Sequence, residues 1–240
     1  MPKHVFFDLD KTLTASRSPM TVAHQEIFEK LLQKRDVVVV SGGNEEQVRR
    51  QVTPRFDDRY YALSQSGNHA MDKSGSDLWK ESLSNEQEAL IEEVIDVLKK
   101  EFPPALDPAS TIEHRGAQTS YSVTGFDAPI EAKYAFDPGD VKRSSALKSH
   151  PEEVAKLLAQ GIEVTPAGTS SFNFILTGKH KGYNIERFIK KMNWAKNDCL
   201  YIGDALFQGG NDETVIGVIP TQPIKDHNET FSFIEKNLLD

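Results

Sequence analysis

The chain has 240 residues, 38% of them hydrophobic and 27% charged, the balance of a globular protein with a substantial core. Its formal net charge of −8, with no polybasic run to offset it, excludes the electrostatic footprint of a nucleic-acid binder. A lone cysteine, Cys199, excludes an internal disulfide, and no apolar run is long enough to span a bilayer. Because a strand-like run begins within a few residues of Met1, no signal peptide is expected, and cytoplasm is the expected location.

The first element is Val5-Phe6-Phe7, a buried strand by its unbroken apolar run, with Asp8 at its exit. Asp8 and Asp10 stand at i and i+2, which on an extended segment puts both carboxylates on one side. Their joint ionisation there calls for a cation or a shared proton. Ser18-Pro19 is predicted to open a helix, with Ile27, Phe28, Leu31 and Leu32 on its apolar stripe. Val37 to Val40 is a second strand, covered on both faces, that runs into Ser41-Gly42-Gly43-Asn44 and a helix from near Glu45. Backbone N–H groups and a hydroxyl at a helix start suit an anion such as phosphate. Tyr60 to Ser64 is a third strand, and Gln65 to Gly75 is turn-rich, with Ser66-Gly67-Asn68 at the strand exit.

Near Ser82 the pattern changes. Ser84-Asn85-Glu86-Gln87 is a capping box, Leu90, Ile91, Val94 and Leu98 give the helix its apolar face, and Pro103-Pro104 ends it. Thr111 to Arg115 and Gln118 to Thr124 form a strand pair joined at Gly116. Ser149-His150-Pro151-Glu152 opens another helix that Gly161 closes, and strands Ile162 to Thr165 and Phe172 to Leu176 follow. Helices beside hairpins imply an α+β module with an antiparallel sheet. The α/β pattern then resumes: a helix after Gly178-Lys179-His180-Lys181-Gly182, and a buried strand, Cys199 to Ile202, ending at Gly203-Asp204. A polar loop through Gly209-Gly210-Asn211-Asp212, a short strand at Gly217 to Ile219 and a terminal helix bearing Phe231, Ile234 and Leu238 complete the chain.

Ligands of open α/β sheets bind beyond the carboxyl ends of the strands, so Asp8, Ser41 and Asp204 are expected to meet although far apart in sequence. Asp8, Asp204 and a backbone carbonyl would suit Mg²⁺, and a lysine ahead of a helix, Lys181 or Lys179, would offset phosphoryl charge.

Four groups of residues, in this order, resemble the motifs of the haloacid-dehalogenase-like phosphotransferases: Asp8-Leu9-Asp10-Lys11-Thr12, then Ser41, then Lys181, then Gly203-Asp204 with Gly209-Gly210-Asn211-Asp212. Lys11 stands where many members carry Gly. The resemblance implies an α/β fold: a Rossmann-like three-layer αβα core with a parallel sheet, over 1–81 and 172–240, and an inserted α+β cap with an antiparallel sheet, over 82–171. The insertion point matches the larger C2-type cap of subfamily IIB, and the similarity extends to the eukaryotic-type phosphomannomutases through Leu13 to Arg17, Ser41-Gly42-Gly43, Thr111 to Arg115 and Ser171-Phe172-Asn173.

What this resemblance implies is a Mg²⁺-dependent phosphatase acting on a small phosphorylated metabolite, such as a sugar phosphate, through an aspartyl-phosphate. Asp8 would be the nucleophile and Asp10 the acid and base, with Thr12, Ser41 and Lys181 stabilising the transferred group. Asp8, Asp10, Asp204 and Asp212 would form the metal site, and Arg17, Gly42, Gly43, Arg115, Ser171 and Asn173 would face substrate. Asn173 replaces the Asp of the mutases, and no arginine stands near Gly125-Phe126, which depletes the expected grip on a distal phosphate; Arg143 is a loose substitute. A phosphomannomutase is therefore the second expectation, and a catalytically idle phospho-metabolite binder the third. The expected partner is a small phosphorylated substrate, with no nucleic acid or membrane; since cap-to-cap dimers occur among the mutases, the resemblance also brings a homodimer into the expectation.

Overall fold

The computed structural model describes residues 1–103 and 111–239. In chain order the elements are β1 (His4–Asp8), α1 (Val22–Lys34), β2 (Asp36–Val40), α2 (Glu45–Val52), β3 (Tyr61–Ser64), β4 (His69–Met71) and β5 (Asp77–Lys80). Then come α3 (Asn85–Glu101), β6 (Ile112–His114), β7 (Gln118–Ser122), α4 (Ile130–Phe136), α5 (Val141–Ser149), α6 (Pro151–Ala159), β8 (Ile162–Ala167) and β9 (Ser171–Leu176). The last are α7 (Lys181–Met192), β10 (Cys199–Gly203), β11 (Thr221–Pro223) and α8 (His227–Asn237). Among the described residues no helix is long and apolar enough to cross a membrane.

The chain divides into two compact units, Met1–Lys80 with Lys179–Asp240, and Glu81–Gly178. The first is a Rossmann-like α/β unit with a seven-stranded sheet in the order β11-β10-β1-β2-β3-β4-β5. The strands from β11 to β3 are parallel, while β4 and β5 add an antiparallel edge. The alternation of side chains decides the layers. Val5, Phe7, Val37 and Val39 pack with Phe28 and Leu31 of α1, Val48 and Val52 of α2, and Phe231 and Ile234 of α8. Phe6, Val38 and Val40 face the other way, against Ile185, Phe188 and Ile189 of α7. With both faces covered, β1 and β2 need no polar side, which is why they are continuous apolar runs.

The second unit is α+β, with a four-stranded antiparallel sheet in the order β6-β7-β9-β8. Tyr121, Phe172 and Phe174 pack on its helix side with Ile91, Val94, Ile95 and Leu98 of α3 and Leu157 of α6. The capping box is formed: Ser84 Oγ accepts from Gln87 N, and Gln87 Oε1 accepts from Ser84 N.

Several boundaries differ from expectation. The cap was expected to end at 171, but β9 pairs with β7 on one side and β8 on the other, so the return to the first unit comes after Gly178. Helix α1 begins at Val22 rather than after Ser18, because Thr21 is the residue whose hydroxyl accepts from a first-turn N–H, that of His24. Ser149 ends α5 instead of capping α6; its hydroxyl donates back to Ser145 O. Helices α4 and α5 were not foreseen. The stretch 65–75, expected as turns, contains β4, and the Asp72 carboxylate knits its hairpin by accepting from Ser74 N and Ser76 N. Gly217 to Ile219 is not a strand: Gly217 and Val218 turn between Ile216 and Ile219, which form an isolated bridge, and the edge strand is β11. Pro103 follows α3, while Pro104 lies outside the described residues.

Arg143, a loose candidate for substrate contact, is instead a brace within the second unit. It is fully buried, with Nε donating to Asp137 Oδ2 at 2.8 Å and Nη1 to the carbonyls of Ala167 and Ser171 at 2.8 and 2.7 Å. Its Nη2 also bonds Asp140. Burial works against the Asp137 carboxylate, but the Arg143 guanidinium and the N–H groups of Lys142 and Arg143 prevail and hold its pKa below the usual 3.8. Arg143→Met strands a buried carboxylate, so urea unfolding is expected to show a loss of about 3–5 kcal/mol at neutral pH. Asp137 contributes fully above its unfolded-state pKa, and the contribution disappears as pH falls through the lower folded value. The difference between wild type and Arg143→Met should therefore shrink below pH 3.8.

Candidate active site

Strands β1 and β10 are parallel neighbours, with Phe7 opposite Ile202, so the residues just beyond them emerge side by side. Asp8 closes β1 and Asp204 follows β10. Asp212, at the end of the loop after β10, folds back beneath Gly203. One carboxylate oxygen from each of Asp8, Asp204 and Asp212 lies within 4.8 Å of the others. Gly203 is required here, since a Cβ at this position would stand 2.4 Å from Asp212 Oδ2.

Lys181, in the first turn of α7, is the counter-charge. Its Nζ donates to Asp8 Oδ1 at 2.5 Å and to Asp212 Oδ1 at 2.7 Å. Tyr201, on β10, donates its hydroxyl to the same Asp212 oxygen at 2.6 Å. Lys179 donates to the Tyr183 hydroxyl, so of the two lysines considered it is Lys181 that reaches these carboxylates. Thr12 bridges to Asp204: its hydroxyl donates to Oδ1 at 3.4 Å and accepts from Asp204 N at 3.1 Å.

Burial dominates the electrostatics. It pushes Asp8 up to about 7; Lys181 opposes this, whereas Asp212 and Asp204 add to it. Asp204 is raised too, by burial and then by Asp212, with Lys11 and Lys181 pulling the other way. Burial disfavours the Lys181 ammonium, but Asp212 and Asp8 outweigh it and hold the pKa above the usual lysine value. Three carboxylates around one ammonium leave two negative charges over when all are ionised. A hard, oxygen-seeking divalent cation fits that donor set and that deficit.

Asp10 is not brought into this cluster. Strand β1 stops at Asp8, so the alternation that would align residues 8 and 10 does not continue. Instead Asp10 Oδ1 accepts from Arg17 N at 2.6 Å and Gln51 Nε2 at 3.2 Å, while Oδ2 accepts from Gln47 Nε2 at 3.3 Å. Lys11 and Arg17 both have left-handed backbones, with φ of 63° and 54°, which turns the loop sharply after β1. The Arg17 side chain is exposed.

Ser41 follows β2, whose last residue pairs with Asp8. Its Oγ accepts from Gly43 N at 3.0 Å, which leaves the hydroxyl proton available to another acceptor. Helix α2 starts directly after Gly42 and Gly43, capped by Asn44. The turn after β3 locks this loop from behind, Gln65 N donating to Gly43 O and Ser66 N to Ser41 O. Asn184 on α7 donates to Ser66 O and Lys179 O, so the same turn also fixes the start of the lysine-bearing helix.

In the second unit, Arg115 bonds Glu113 and lies over the Phe126 ring. Asn173 Oδ1 accepts from Ser120 Oγ at 2.7 Å, and Ser171 O accepts from Arg143. Ser120, Ser171 and Asn173 share the sheet face opposite Phe172 and Phe174.

Sequence reasoning missed Tyr201, Gln47, Gln51 and Asn184. Gln47 and Gln51, four residues apart on the helix behind Ser41, carried a readable spacing. Tyr201 sat inside an apolar strand and carried none.

If the carboxylates take a divalent cation, Mg²⁺ should stabilise the native state by about 2.7 kcal/mol at a hundredfold excess over its Kd. A melting scan is expected to show a rise in Tm of several degrees for wild type and little or none for Asp204→Asn. An equal shift in both would place the ion elsewhere.

No family model matches the chain. Among solved structures it superposes on an N-terminally truncated, IMP-bound IMP-nucleotidase from Plasmodium falciparum, with TM-score 0.69 and 13% identity over 98% of this chain and 67% of that one. A haloacid dehalogenase-like hydrolase from Bacteroides thetaiotaomicron matches with TM-score 0.68 and 15% identity, over 98% of this chain and 99% of that chain. A phosphatase of the haloalkanoate superfamily from the same organism matches with TM-score 0.67 and 13% identity, over 100% and 96%. Identities this low speak to architecture alone: the chain shares the fold of these three proteins.

Proposed function

We propose that the chain is a Mg²⁺-dependent phosphatase of small phosphorylated metabolites, working through a phosphoryl group held on Asp8. The observation that carries this reading is the meeting of Asp8, Asp204 and Asp212 around the Lys181 ammonium at the carboxyl ends of two neighbouring strands. Four residues distant in sequence converge on one point, and each has a part in phosphoryl transfer.

In the first step an Asp8 carboxylate oxygen attacks phosphorus in line, and the bond to the leaving oxygen breaks. Asp10 donates a proton to that oxygen. In the second step a water attacks the acyl phosphate and gives its proton to Asp10, which restores Asp8 and releases inorganic phosphate. Ser41 offers its free hydroxyl proton to a phosphoryl oxygen, and Lys181, already beside Asp8, neutralises charge on the transferred group. Thr12 holds Asp204 in place and can turn its hydroxyl to the phosphoryl group. Mg²⁺, held by Asp8, Asp204 and Asp212, would supply Lewis-acid charge compensation. Asp10 was a candidate metal ligand as well; with its carboxylate held by Gln47, Gln51 and Arg17 N, proton transfer is the role assigned to it here.

The unit Glu81–Gly178 is proposed as a C2-type cap, with Arg115, Ser171 and Asn173 as its candidate specificity residues. Within the first unit, Arg17, Gly42 and Gly43 are proposed substrate contacts. Sugar phosphates are the favoured class, by analogy with the mutase-like caps. A phosphomannomutase is the second reading. Against it stand Asn173, already an acceptor for Ser120, and Arg143, committed to bracing its own unit.

The test is release of inorganic phosphate from hexose 1- and 6-phosphates and from IMP, with and without Mg²⁺. Wild type should turn over at least one of them only with the metal, and Asp8→Asn should lose about 10³-fold or more in kcat. Substantial turnover by that variant would remove Asp8 from its role. Conversion of a hexose 1-phosphate to the 6-phosphate, dependent on a bisphosphate activator and exceeding phosphate release, would instead establish the mutase.

A further inference from the structure

Gln51 is fully buried near the end of α2, yet its carboxamide is spent entirely on groups outside the hydrophobic core. Its Nε2 donates to Asp10 Oδ1 at 3.2 Å and to Thr14 Oγ1 at 2.8 Å, and its Oε1 accepts from Gln47 Nε2 at 2.8 Å. Gln47, one turn earlier on the same helix face, passes its amide to Asp10 Oδ2 as well. The backbone carbonyl of Gln51 accepts from Met20 N, so main chain and side chain both grip the loop between β1 and α1. A buried carboxamide is tolerated when its hydrogen bonds are made, and a connected set of them specifies one arrangement.

We propose that Gln51, seconded by Gln47, is a positioning residue for Asp10; the proposal rests on the phosphatase reading and on Asp10 as its acid and base. A carboxylate has about four lone-pair sites. Two donors occupy Oδ1, Arg17 N and Gln51 Nε2, and one occupies Oδ2, Gln47 Nε2. Donors on both oxygens fix the plane of the carboxyl group and leave an open site on Oδ2 for the proton that goes to the leaving oxygen and returns from water. Amide donors achieve this without forming an ion pair that would compete with Lys181 for the acidic cluster. A flexible Asp10 would sample orientations in which proton transfer is out of reach, and positioning of this kind is worth large factors in rate.

A structural tie between α2 and the loop would affect every step alike, whereas a positioning role acts only where Asp10 handles a proton. Nitrophenyl phosphate separates the two, because nitrophenolate leaves without protonation. With enzyme in excess, nitrophenolate release reports attack by Asp8, and phosphate release reports hydrolysis of the acyl phosphate. For Gln51→Leu, nitrophenolate release should be nearly unchanged. Phosphate release, and turnover of an alkyl phosphate, should fall by about 10–10²-fold, within the range for general acid–base assistance. Gln47→Leu, at a partly exposed position, should show the same pattern more weakly and serves if Gln51→Leu does not fold. Equal loss in both phases, or no loss in either, overturns the positioning role while the phosphatase reading stands. A wild-type protein inactive on both esters with Mg²⁺ would instead remove the phosphatase reading, and this proposal with it.

Discussion

A single buried ammonium holds together two carboxylates that would otherwise force each other apart. Lys181 lies between Asp8 and Asp212, with a third acid, Asp204, close enough to share an ion with them. Removing one partner from such a buried arrangement typically costs about 3–5 kcal/mol, so the fold around it has little freedom to drift. The neighbouring parallel strands β1 and β10 bring Asp8 and Asp204 side by side, and Gly203 lets Asp212 approach the backbone. The turn after β3 pins both the Ser41 loop and the start of α7. Each of these features bears on where one ammonium and three carboxylates sit. The remaining excess of negative charge is what makes the cluster a place for a divalent cation.

The parts of this arrangement that were legible in the sequence are those with a strong local signature. Val37 to Val40 and Val5 to Phe7 had to be buried on both faces because no polar residue interrupts them, and residues that end such strands are the ones a sheet presents at its rim. Lys181 and Asp204 were identifiable for the same reason, each sitting at the junction of an apolar element and a small or polar one. The reason given for placing Asp8 and Asp10 on one side does not hold, because the strand ends at Asp8, two residues before Asp10, and its alternation does not reach that far. Gln47, Gln51 and Tyr201 act across the fold on groups distant in sequence, and nothing in their immediate neighbours encodes that partner.

The second unit was legible as helices beside antiparallel hairpins, yet its boundary was misplaced by one strand. Ser171–Leu176 looks the same from sequence whether it joins one sheet or the other; its pairing with both β7 and β8 is a tertiary fact. Helices α4 and α5 bury little of their own surface and so lack a clear apolar stripe; in α4 no residue is buried. Arg143, on α5, is buried by its hydrogen bonds rather than by hydrophobic pattern. An arginine in a unit expected to select substrate invites assignment to substrate, and its bonds to Asp137 and to the carbonyls of Ala167, Gly168 and Ser171 show how a structural role can carry the same residue type.

The central claim is that Asp8 becomes covalently phosphorylated. It is tested most directly by acid-quenching the enzyme during turnover with Mg²⁺ and locating the acid-stable acyl phosphate by peptide mass spectrometry. The account predicts one added phosphoryl group on the peptide containing Asp8, present with substrate and discharged when substrate is exhausted. A modified residue elsewhere, or turnover with no phosphorylated peptide at any quench time, would contradict it.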